Sequence, residues 1–244
     1  MGQNQYNVIC MKWGKKFHAG YVNRLYYMVE NNLRLPHRFV CFTDEIDGIN
    51  PKIETMPLPK LDDSGIAERC WKKLGVFQEV LFDLKGIALF LDLDVIIMQN
   101  LDDFFTIPGE FFIIRDWAFK EGNIGNSSVF RFEIGKHSEI IENFYKEGKT
   151  IRKRYQNEQA FLSKEMAKKN ILRYWPFDWC ISFKHNCLPR WPWCYFKTTK
   201  EPNTKILIFH GHPNPEEAYR GYIGKFGYRF VKPVRWLSKY GVGN

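Results

Sequence analysis

The run at residues 87–98 constrains the fold more than any other part of the chain. It reads IALFLDLDVIIM, and its only polar residues are Asp92 and Asp94. A short apolar run that contains β-branched residues and is bounded by glycine and polar residues predicts a buried strand. Because successive side chains on a strand point to opposite faces, Asp92 and Asp94 are predicted to project side by side among apolar neighbours.

Two adjacent carboxylates in such surroundings need a compensating charge. Without a partner, each would cost several kcal/mol to bury, and the two would repel each other. A hard divalent cation with oxygen ligands, shared with a phosphate-bearing substrate, would meet both demands. The alternative is structural: one aspartate caps the next helix, and the other faces solvent at the end of the strand.

The composition is that of a globular chain with anionic partners. The 244 residues suffice for one large domain or two small ones, and an apolar share of 45% excludes a disordered chain. The formal net charge of +9 makes nucleotide phosphates, nucleic acid and acidic membrane surfaces the candidate partners. The six cysteines match no zinc-ligand spacing, so we expect reduced thiols in a reducing compartment.

The amino-terminal sequence predicts neither export nor membrane insertion. It has no basic region followed by a long apolar one, and no run reaches the roughly 18 apolar residues that a spanning helix needs. Tyr6 stands where N-myristoylation of Gly2 would require Ser or Thr. We therefore expect a cytoplasmic location.

The order of predicted elements indicates an α/β fold with a mixed, mainly parallel sheet flanked by helices. A strand at 6–11, an amphipathic helix at 19–33 and a strand at 38–43 form a β-α-β opening. The remaining predicted helices are 65–82, 101–105, 138–146 and 157–168, and the remaining strands lie near residue 53 and at 111–115, 127–132 and 205–210. Residues 171–197 are predicted to be irregular.

Polar residues cluster at the ends of the predicted strands, where open α/β sheets bind their ligands. These groups are Lys12-Trp13-Gly14-Lys15, Thr43-Asp44, Asp92-Leu93-Asp94, Asn126-Ser127 and His210-Gly211. We expect them to converge on one ligand. His210 is either a third metal ligand or a surface loop histidine, and Asn126 either binds a hydroxyl-rich ligand or belongs to a turn.

Two predicted helices add further candidates. Arg69 and Lys73 precede the acidic strand, so they either reach a diphosphate or form a solvated helix face. Glu158 and Gln159 begin another helix, whose N-terminus stabilises a carboxylate. Glu158 is therefore either a site residue or an ordinary first-turn glutamate.

The order of these motifs resembles that of the retaining glycosyltransferases of family 8, which have a Rossmann-like GT-A fold and include glycogenin and the lipopolysaccharide galactosyl- and glucosyltransferases. The resemblance covers residues 6–215. Its specific part is FLDLDVIIMQNLDDFF, which matches the hydrophobic D-x-D run of the family. The weaker matches are Lys73-Leu74, Asn126-Ser127-Ser128-Val129, Glu158-Gln159, His210-Gly211 and Pro215.

The resemblance implies a metal-dependent transfer of a hexose from a nucleotide-sugar, a UDP-sugar first of all, to a glycan or glycolipid acceptor with retention. Asp92, Asp94 and His210 would bind Mn²⁺ or Mg²⁺. Glu158, Gln159 and Asp94 would be catalytic, with Gln159 near the anomeric carbon. The donor-binding residues, from the resemblance and from the strand ends together, are Lys12, Trp13, Gly14, Thr43, Asp44, Arg69, Lys73, Asp92, Asn126, Ser127 and Gly211.

Three departures from the family pattern leave the donor and acceptor open. Glu158 replaces an aspartate, which lengthens the side chain, and Ser128 replaces the glycine of the asparagine loop. Asn214 stands where a lysine is usual, so the phosphate charge would have to be met otherwise.

The C-terminal segment, residues 216–244, interleaves aromatic and basic residues. We predict a GT-A domain at 1–215 followed by this segment, which suits the acceptor or peripheral contact with an anionic membrane at its inner face. The alternatives are nucleic acid, which we do not expect as a partner, and a packed segment whose cations reach out to solvent. The family and this segment together suggest lipopolysaccharide or polysaccharide biosynthesis.

Two other functions compete with glycosyl transfer. An apolar strand that ends in D-x-D is also the signature of haloacid-dehalogenase-like phosphatases, although there the motif usually lies near the N-terminus and continues with Gly-Thr or Gly-Val. A non-enzymatic basic protein that binds membranes or RNA would explain the charge, but it leaves Asp92 and Asp94 buried without a purpose.

Overall fold

A computed structural model describes residues 5–61, 69–117, 124–225 and 229–243. The chain divides into two compact units. The first comprises Met1–Asn23, Leu35–Leu93 and Asp102–Trp175, and the second comprises Arg24–Arg34, Asp94–Leu101 and Pro176–Asn244. The functional limits predicted from the sequence, 1–215 and 216–244, stay a prediction.

Twelve strands and five α-helices occur in the described residues. The strands are β1 Tyr6–Lys12, β2 His37–Thr43, β3 Glu54–Met56, β4 Ile87–Leu91, β5 Val95–Ile97, β6 Phe111–Arg115, β7 Gly125–Glu133, β8 Leu172–Tyr174, β9 Cys180–Ser182, β10 Ile206–Ile208, β11 Tyr222–Ile223 and β12 Phe230–Val231. The α-helices are α1 Ala19–Asn32, α2 Asp102–Thr106, α3 Glu139–Arg154, α4 Glu158–Lys168 and α5 Pro215–Arg220.

The first unit is built on a seven-stranded sheet with the order β3-β2-β1-β4-β7-β6-β8. The pairs β1/β2, β2/β3, β1/β4 and β6/β8 are parallel, whereas β7 runs antiparallel to both β4 and β6. The predicted mixed, mainly parallel sheet is therefore confirmed. Since β7 is reversed, its first residues lie beside the last residues of β4, and the backbone N–H of Asp92 donates to the carbonyl of Ser128 at 2.9 Å.

An aromatic core lies against this sheet. Phe77 of the 3₁₀ helix Arg69–Phe77 packs on Phe132 with ring centroids 4.8 Å apart, and Phe90 stacks on Phe130 at 4.7 Å. All four rings are buried. Strands covered on both faces read as continuous apolar runs, which is why β1, β2, β4 and β6 were predictable from the sequence.

The apolar run at residues 87–98 does not form one strand, so the prediction that Asp92 and Asp94 share a strand face was wrong. β4 ends at Leu91 in the seven-stranded sheet, and β5 belongs to a different sheet, with a turn between them. Both strands are buried, so their apolar patterns join without a break in the sequence. The end of β4 is set by its hydrogen-bonded partner strands, and the apolar pattern of the sequence does not reveal these partners.

Three further elements differ from the prediction. The helix predicted at 65–82 is the 3₁₀ helix Arg69–Phe77, and residues 62–68 lie outside the described part of the chain. α3 continues to Arg154, past a non-helical residue at Glu147. Residues 171–197 contain two three-residue strands and the π-helical turn Phe183–Cys187, all too short to give a periodic pattern.

The second unit contains the three-stranded sheet β5-β10-β9 and the C-terminal segment. β10 is antiparallel to β5 and parallel to β9. The segment folds as α5, the β11/β12 hairpin and the 3₁₀ helix Arg235–Tyr240, and its Val234, Leu237 and Val242 are buried. These three apolar side chains therefore belong to the core.

The six cysteines are free thiols, four of them buried. No helix in the described part of the chain combines the length and apolar character needed to span a bilayer.

Candidate functional site

Lys73 is the centre of a buried polar network in the first unit. Its ammonium Nζ lies 2.7 Å from Oδ1 and 2.9 Å from Oδ2 of Asp92, which directly follows β4. The same nitrogen donates to Oγ of Ser127 at 3.2 Å and to its carbonyl oxygen at 3.3 Å. Oε1 of Glu158 lies 3.9 Å away. One ammonium is thus flanked by two carboxylates and a hydroxyl.

Helix α4 supplies the other side of this network. The hydroxyl of Ser127 donates to Oε1 of Glu158 at 2.6 Å, and the backbone N–H of Ser127 donates to Oε1 of Gln159 at 3.2 Å. Nε2 of Gln159 lies 3.4 Å from Oδ2 of Asp116, just past β6. We call Lys73, Asp92, Ser127, Glu158 and Gln159 the Lys73 network.

Local sequence explains why α4 begins where it does. Asn157 caps the helix by accepting from the backbone N–H of Ala160 at 3.0 Å, so Glu158 occupies the first turn, where a helix N-terminus stabilises a carboxylate. Ser163, one turn on, accepts from the N–H of Gly125 at 2.8 Å and donates to the carbonyl of Gln159 at 2.6 Å. These bonds hold α4 against the start of β7.

Burial gives the Lys73 network its electrostatic character. Lys73, Glu158 and Ser127 are 8%, 3% and 2% exposed. Burial and the adjacent Glu158 carboxylate raise the pKa of the Cys70 thiol to about 12. With two carboxylates for one ammonium, the network carries an excess of negative charge in a low-dielectric region, which favours a further cation or hydrogen-bond donors from a ligand.

Further predicted site residues lie at the carboxyl ends of β1 and β2 in the first unit. A cavity of about 510 Å³ is lined by Thr43, Asp44, Ile46, Thr55, Met56 and Leu58, among others. Asp44 accepts from the backbone N–H of Gly14 at 3.0 Å, and Gly14 adopts a φ of +59° that favours glycine. Lys12 is buried and pairs with Glu45 at 3.0 Å, and Trp13 packs partly on the core.

Two further predicted site residues belong to the first unit. Asn126 lies in strand β7 and not in a turn, and its side-chain oxygen accepts from the backbone N–H of Ser128 at 3.0 Å. Ligand binding by Asn126 stays a prediction. The backbone of Arg69 begins the 3₁₀ helix, and its side chain lies outside what the structure describes.

A second polar cluster lies at one end of the three-stranded sheet. The backbone N–H of Phe209 donates to the carbonyl of Asp94 at 3.2 Å, and Oγ of Ser182 lies 2.8 Å from Nε2 of His210. Lys184 donates to the carbonyl of His210, and the His185 and His210 rings stack with centroids 5.5 Å apart. We call Asp94, Ser182, Lys184, His185 and His210 the His210 cluster.

Lys184 of the His210 cluster lies among charges of both signs. Partial burial and the nearby charge of Arg229 lower the pKa of Lys184, and the carboxylate of Asp94 opposes this effect. Gly211 has a φ of +73°, and a Cβ added there would lie 3.2 Å from Nζ of Lys184. A glycine at this position therefore leaves room for the ammonium beside His210.

Sequence reasoning did not single out Ser182 or Lys184, and it assigned Arg229 only to the basic C-terminal segment. The resemblance implies a lysine at the position of Asn214, which indicated that a cation should come from elsewhere in the chain. Lys184 could not be recognised as that cation, because it is one of 36 Lys and Arg residues. It lies on a five-residue π-helical turn that carries no sequence signature. Its place beside His210 follows from the pairing of β9 with β10.

The predicted metal ligands have suitable chemistry, but their present contacts compete with a metal ion. Two carboxylates and an imidazole are acceptable donors for Mn²⁺. Both oxygens of Asp92 contact Lys73, and Nε2 of His210 contacts Ser182. Over the described ranges, no group of three or more His, Cys, Asp and Glu side chains could hold a metal ion. Metal binding at these residues would require those contacts to rearrange.

No protein-family model and no curated protein matches the chain by sequence. Solved structures do match. The galactosyltransferase LgtC, crystallised in complex with donor and acceptor sugar analogs, aligns with a TM-score of 0.62 at 12% identity over 98% of this chain and 96% of LgtC. An active-site mutant of LgtC gives a TM-score of 0.63 at 13% identity, covering 96% of this chain and 95% of the mutant.

The glycosyltransferase GlyE of Streptococcus pneumoniae TIGR4 aligns with a TM-score of 0.62 at 14% identity over 97% of this chain. The chain spans 61% of the length of GlyE. These likenesses, together with the seven-stranded sheet, confirm the predicted fold class: the chain has the GT-A-like fold of these glycosyltransferases.

Proposed function

We propose that the protein is a retaining glycosyltransferase of the family 8 type, which transfers a hexose from a nucleotide-sugar, a UDP-hexose first of all, to a glycan or glycolipid acceptor. The observation that carries this proposal is the fold shared with LgtC over nearly the full length of both chains. The Lys73 network at the carboxyl edge of its sheet supports it, because it gathers polar groups where such folds bind ligands. Cytoplasmic assembly of lipopolysaccharide or polysaccharide is the proposed context.

Different residues of the first unit are assigned to different parts of the donor. The cavity beside Thr43 and Asp44 is of a size that holds a nucleoside. Gln159 and Glu158 offer an amide and a carboxylate to the hydroxyls of the sugar. Retention then follows from attack by the acceptor on the face from which the diphosphate departs. A covalent route through Glu158 is disfavoured, since this carboxylate is buried and accepts from Ser127 at 2.6 Å.

The departing diphosphate needs positive charge, because negative charge builds on its oxygen as the glycosidic bond breaks. We assign part of this charge to Lys184, supported by Arg229, which compensates for Asn214 at the position of the usual lysine. We assign the remainder to Mn²⁺ or Mg²⁺ held by Asp92, Asp94 and His210. A bound divalent ion would act as a Lewis acid and charge-neutralising partner for the diphosphate.

The test is a screen of UDP- and GDP-sugars by thermal shift with and without Mn²⁺, followed by nucleotide release with the best donor. A ligand that favours the native state raises the melting temperature. We expect turnover to require Mn²⁺ and to disappear in Asp94→Ala, whereas Asp47→Ala, which removes an exposed carboxylate, leaves it unchanged. Full turnover in Asp94→Ala would refute the metal assignment.

The competing functions give different results in the same assays. Hydrolysis of a generic aryl phosphate without any acceptor would favour the phosphatase alternative. An absence of any thermal shift with nucleotide-sugars would argue against glycosyl transfer itself. The configuration of the product, read by NMR of the new anomeric centre, tests retention separately.

A further inference from the structure

Residues 190–200 of the second unit expose an unusual amount of aromatic surface. The side chains of Trp191, Trp193 and Phe196 are 69%, 56% and 71% exposed, and Tyr195 is 40% exposed. Single exposed apolar residues are ordinary on protein surfaces, but a contiguous group of large rings marks an interaction site. The group occupies six consecutive residues.

The backbone beneath these rings is ordered. Trp193–Tyr195 form a turn of 3₁₀ helix, in which the N–H of Cys194 donates to the carbonyl of Arg190 at 3.2 Å and the N–H of Lys197 donates to that of Trp193 at 2.9 Å. Cys194 is buried, and Tyr195 stacks on Phe230 with centroids 4.9 Å apart. The exposed rings are therefore presented on a fixed turn.

Positive charge surrounds the rings. Arg190, Lys197 and Lys200 are exposed, and residues 190–200 contain no acidic residue. The Lys197 ammonium lies 5.0 Å from the ring centroid of Trp193, and Lys232 donates to the carbonyl of Phe196 at 3.1 Å.

The acidic residue that follows this stretch is already engaged. The Glu201 carboxylate lies 2.6 Å from the Lys239 ammonium and 2.7 Å from the Tyr240 hydroxyl. The charged side chains of residues 190–200 are therefore all positive, and the Glu201 carboxylate is directed to other partners.

We propose that this surface, the Trp191 face (Arg190, Trp191, Trp193, Tyr195, Phe196, Lys197 and Lys200), docks on an anionic lipid bilayer. Tryptophan rings favour the boundary between acyl chains and headgroups, and nearby cations gain from acidic lipids. The inference moves the membrane contact from residues 216–244, whose Val234, Leu237 and Val242 are buried, to residues 190–200. It does not depend on the glycosyltransferase proposal.

A lipid surface fits better than a protein partner because of the charge pattern. A protein partner for three cations of one sign would need a matching acidic patch around an aromatic pocket. An anionic bilayer supplies dispersed negative charge and an apolar layer at once, and both contributions increase with the number of rings and cations presented.

The experiment is co-sedimentation of the full chain with vesicles of phosphatidylcholine alone or with added phosphatidylglycerol. We expect binding to the anionic vesicles only, and a partition coefficient lowered roughly tenfold or more in Trp191→Ala/Trp193→Ala/Phe196→Ala, because binding scales with buried apolar area. Lys197→Gln/Lys200→Gln should lower it roughly fivefold per cation. The control, Tyr27→Ala/Val80→Ala/Tyr145→Ala, removes exposed side chains elsewhere and should bind as the unsubstituted protein does.

Three outcomes would overturn the proposal: no binding by the unsubstituted protein, equal binding to neutral and anionic vesicles, or unchanged binding by the aromatic triple variant. A dimer in the absence of lipid that the triple variant abolishes would also overturn it, in favour of a second copy as partner. Should the triple variant fail to fold, Trp191→Phe/Trp193→Phe replaces it. Quenching of tryptophan fluorescence by brominated lipid should then decrease while binding persists, and unchanged quenching would overturn the proposal.

Discussion

The Lys73 network and the His210 cluster both contain a lysine at the end of a sheet, but they surround it differently. Lys73 is buried and contacts Asp92, with Glu158 at 3.9 Å, so acid exceeds base. Lys184 is partly buried, donates to a carbonyl and feels the charge of Arg229. The first arrangement satisfies its ammonium, whereas the second places Lys184 near the like charge of Arg229 and the opposite charge of Asp94.

This difference separates stability from ligand binding. A buried charge that loses its partner destabilises the folded state strongly, whereas a half-buried cation bonded to a carbonyl adds little to folding. We therefore expect Lys73 to contribute mainly to folding, and Lys184 to contribute mainly to binding an anion.

The largest expected effect is on stability. Lys73→Met leaves the buried carboxylate of Glu158 and the partly exposed carboxylate of Asp92 without their ammonium, so we expect the free energy of unfolding to fall by about 3 kcal/mol. Lys184→Met should cost less than about 1 kcal/mol, since it removes one hydrogen bond to a carbonyl. Urea unfolding followed by circular dichroism measures both values. Equal losses in the two variants would remove the distinction drawn between the two regions.

An intermediate effect is expected on donor affinity. Lys184→Gln removes a charge assigned to the diphosphate, so KM for the nucleotide-sugar should rise roughly tenfold, in line with a charged hydrogen bond, while kcat changes less. Initial-rate kinetics over a range of donor concentrations separate the two parameters. Lys149→Gln, which removes one exposed positive charge from α3, is the matched control. If KM shifts equally in the control, the effect of Lys184 comes from the net charge of the protein and not from its position.

The smallest expected effect sharpens the description of the Lys73 network. With a pKa of about 12, the Cys70 thiol stays protonated at about pH 8 and should react slowly with iodoacetamide. Burial contributes most to this shift, and the Glu158 carboxylate adds to it, so Glu158→Gln should lower the pKa and speed alkylation. Mass spectrometry of the Cys70 peptide over time gives the rates. A slower reaction in the variant would contradict the assigned contact.

The elements that were predictable from the sequence are those whose pattern is set by burial alone. β1, β2 and β6 are continuous apolar runs, and α4 has both a cap and a periodic face. Asp92, Lys73, Ser127, Glu158 and Gln159 were also singled out, through motifs at the ends of such elements, and the structure brings them into contact.

What could not be predicted depends on long-range pairing. The apolar run is interrupted at Asp92 because β4 and β5 pair with strands of different sheets. Lys184 reaches His210 only because a three-residue strand, β9, pairs with β10. The fold of residues 216–243 follows from contacts such as the N–H of Val234 with the carbonyl of Ala218 at 2.9 Å, which join residues with no common motif.

The reversed direction of β7 has a consequence for how this architecture can change. In a purely parallel sheet, only the carboxyl ends of the strands lie at the edge where ligands bind. Every new side chain for a ligand must then follow a strand. Here the antiparallel strand β7 begins at that edge. Ser127 contacts Lys73 from near the start of β7, whereas Asp92 contacts it from just after the end of β4. Residues at the start of one strand and at the end of another can therefore both be varied to suit a new substrate, while the pairing of the sheet stays intact.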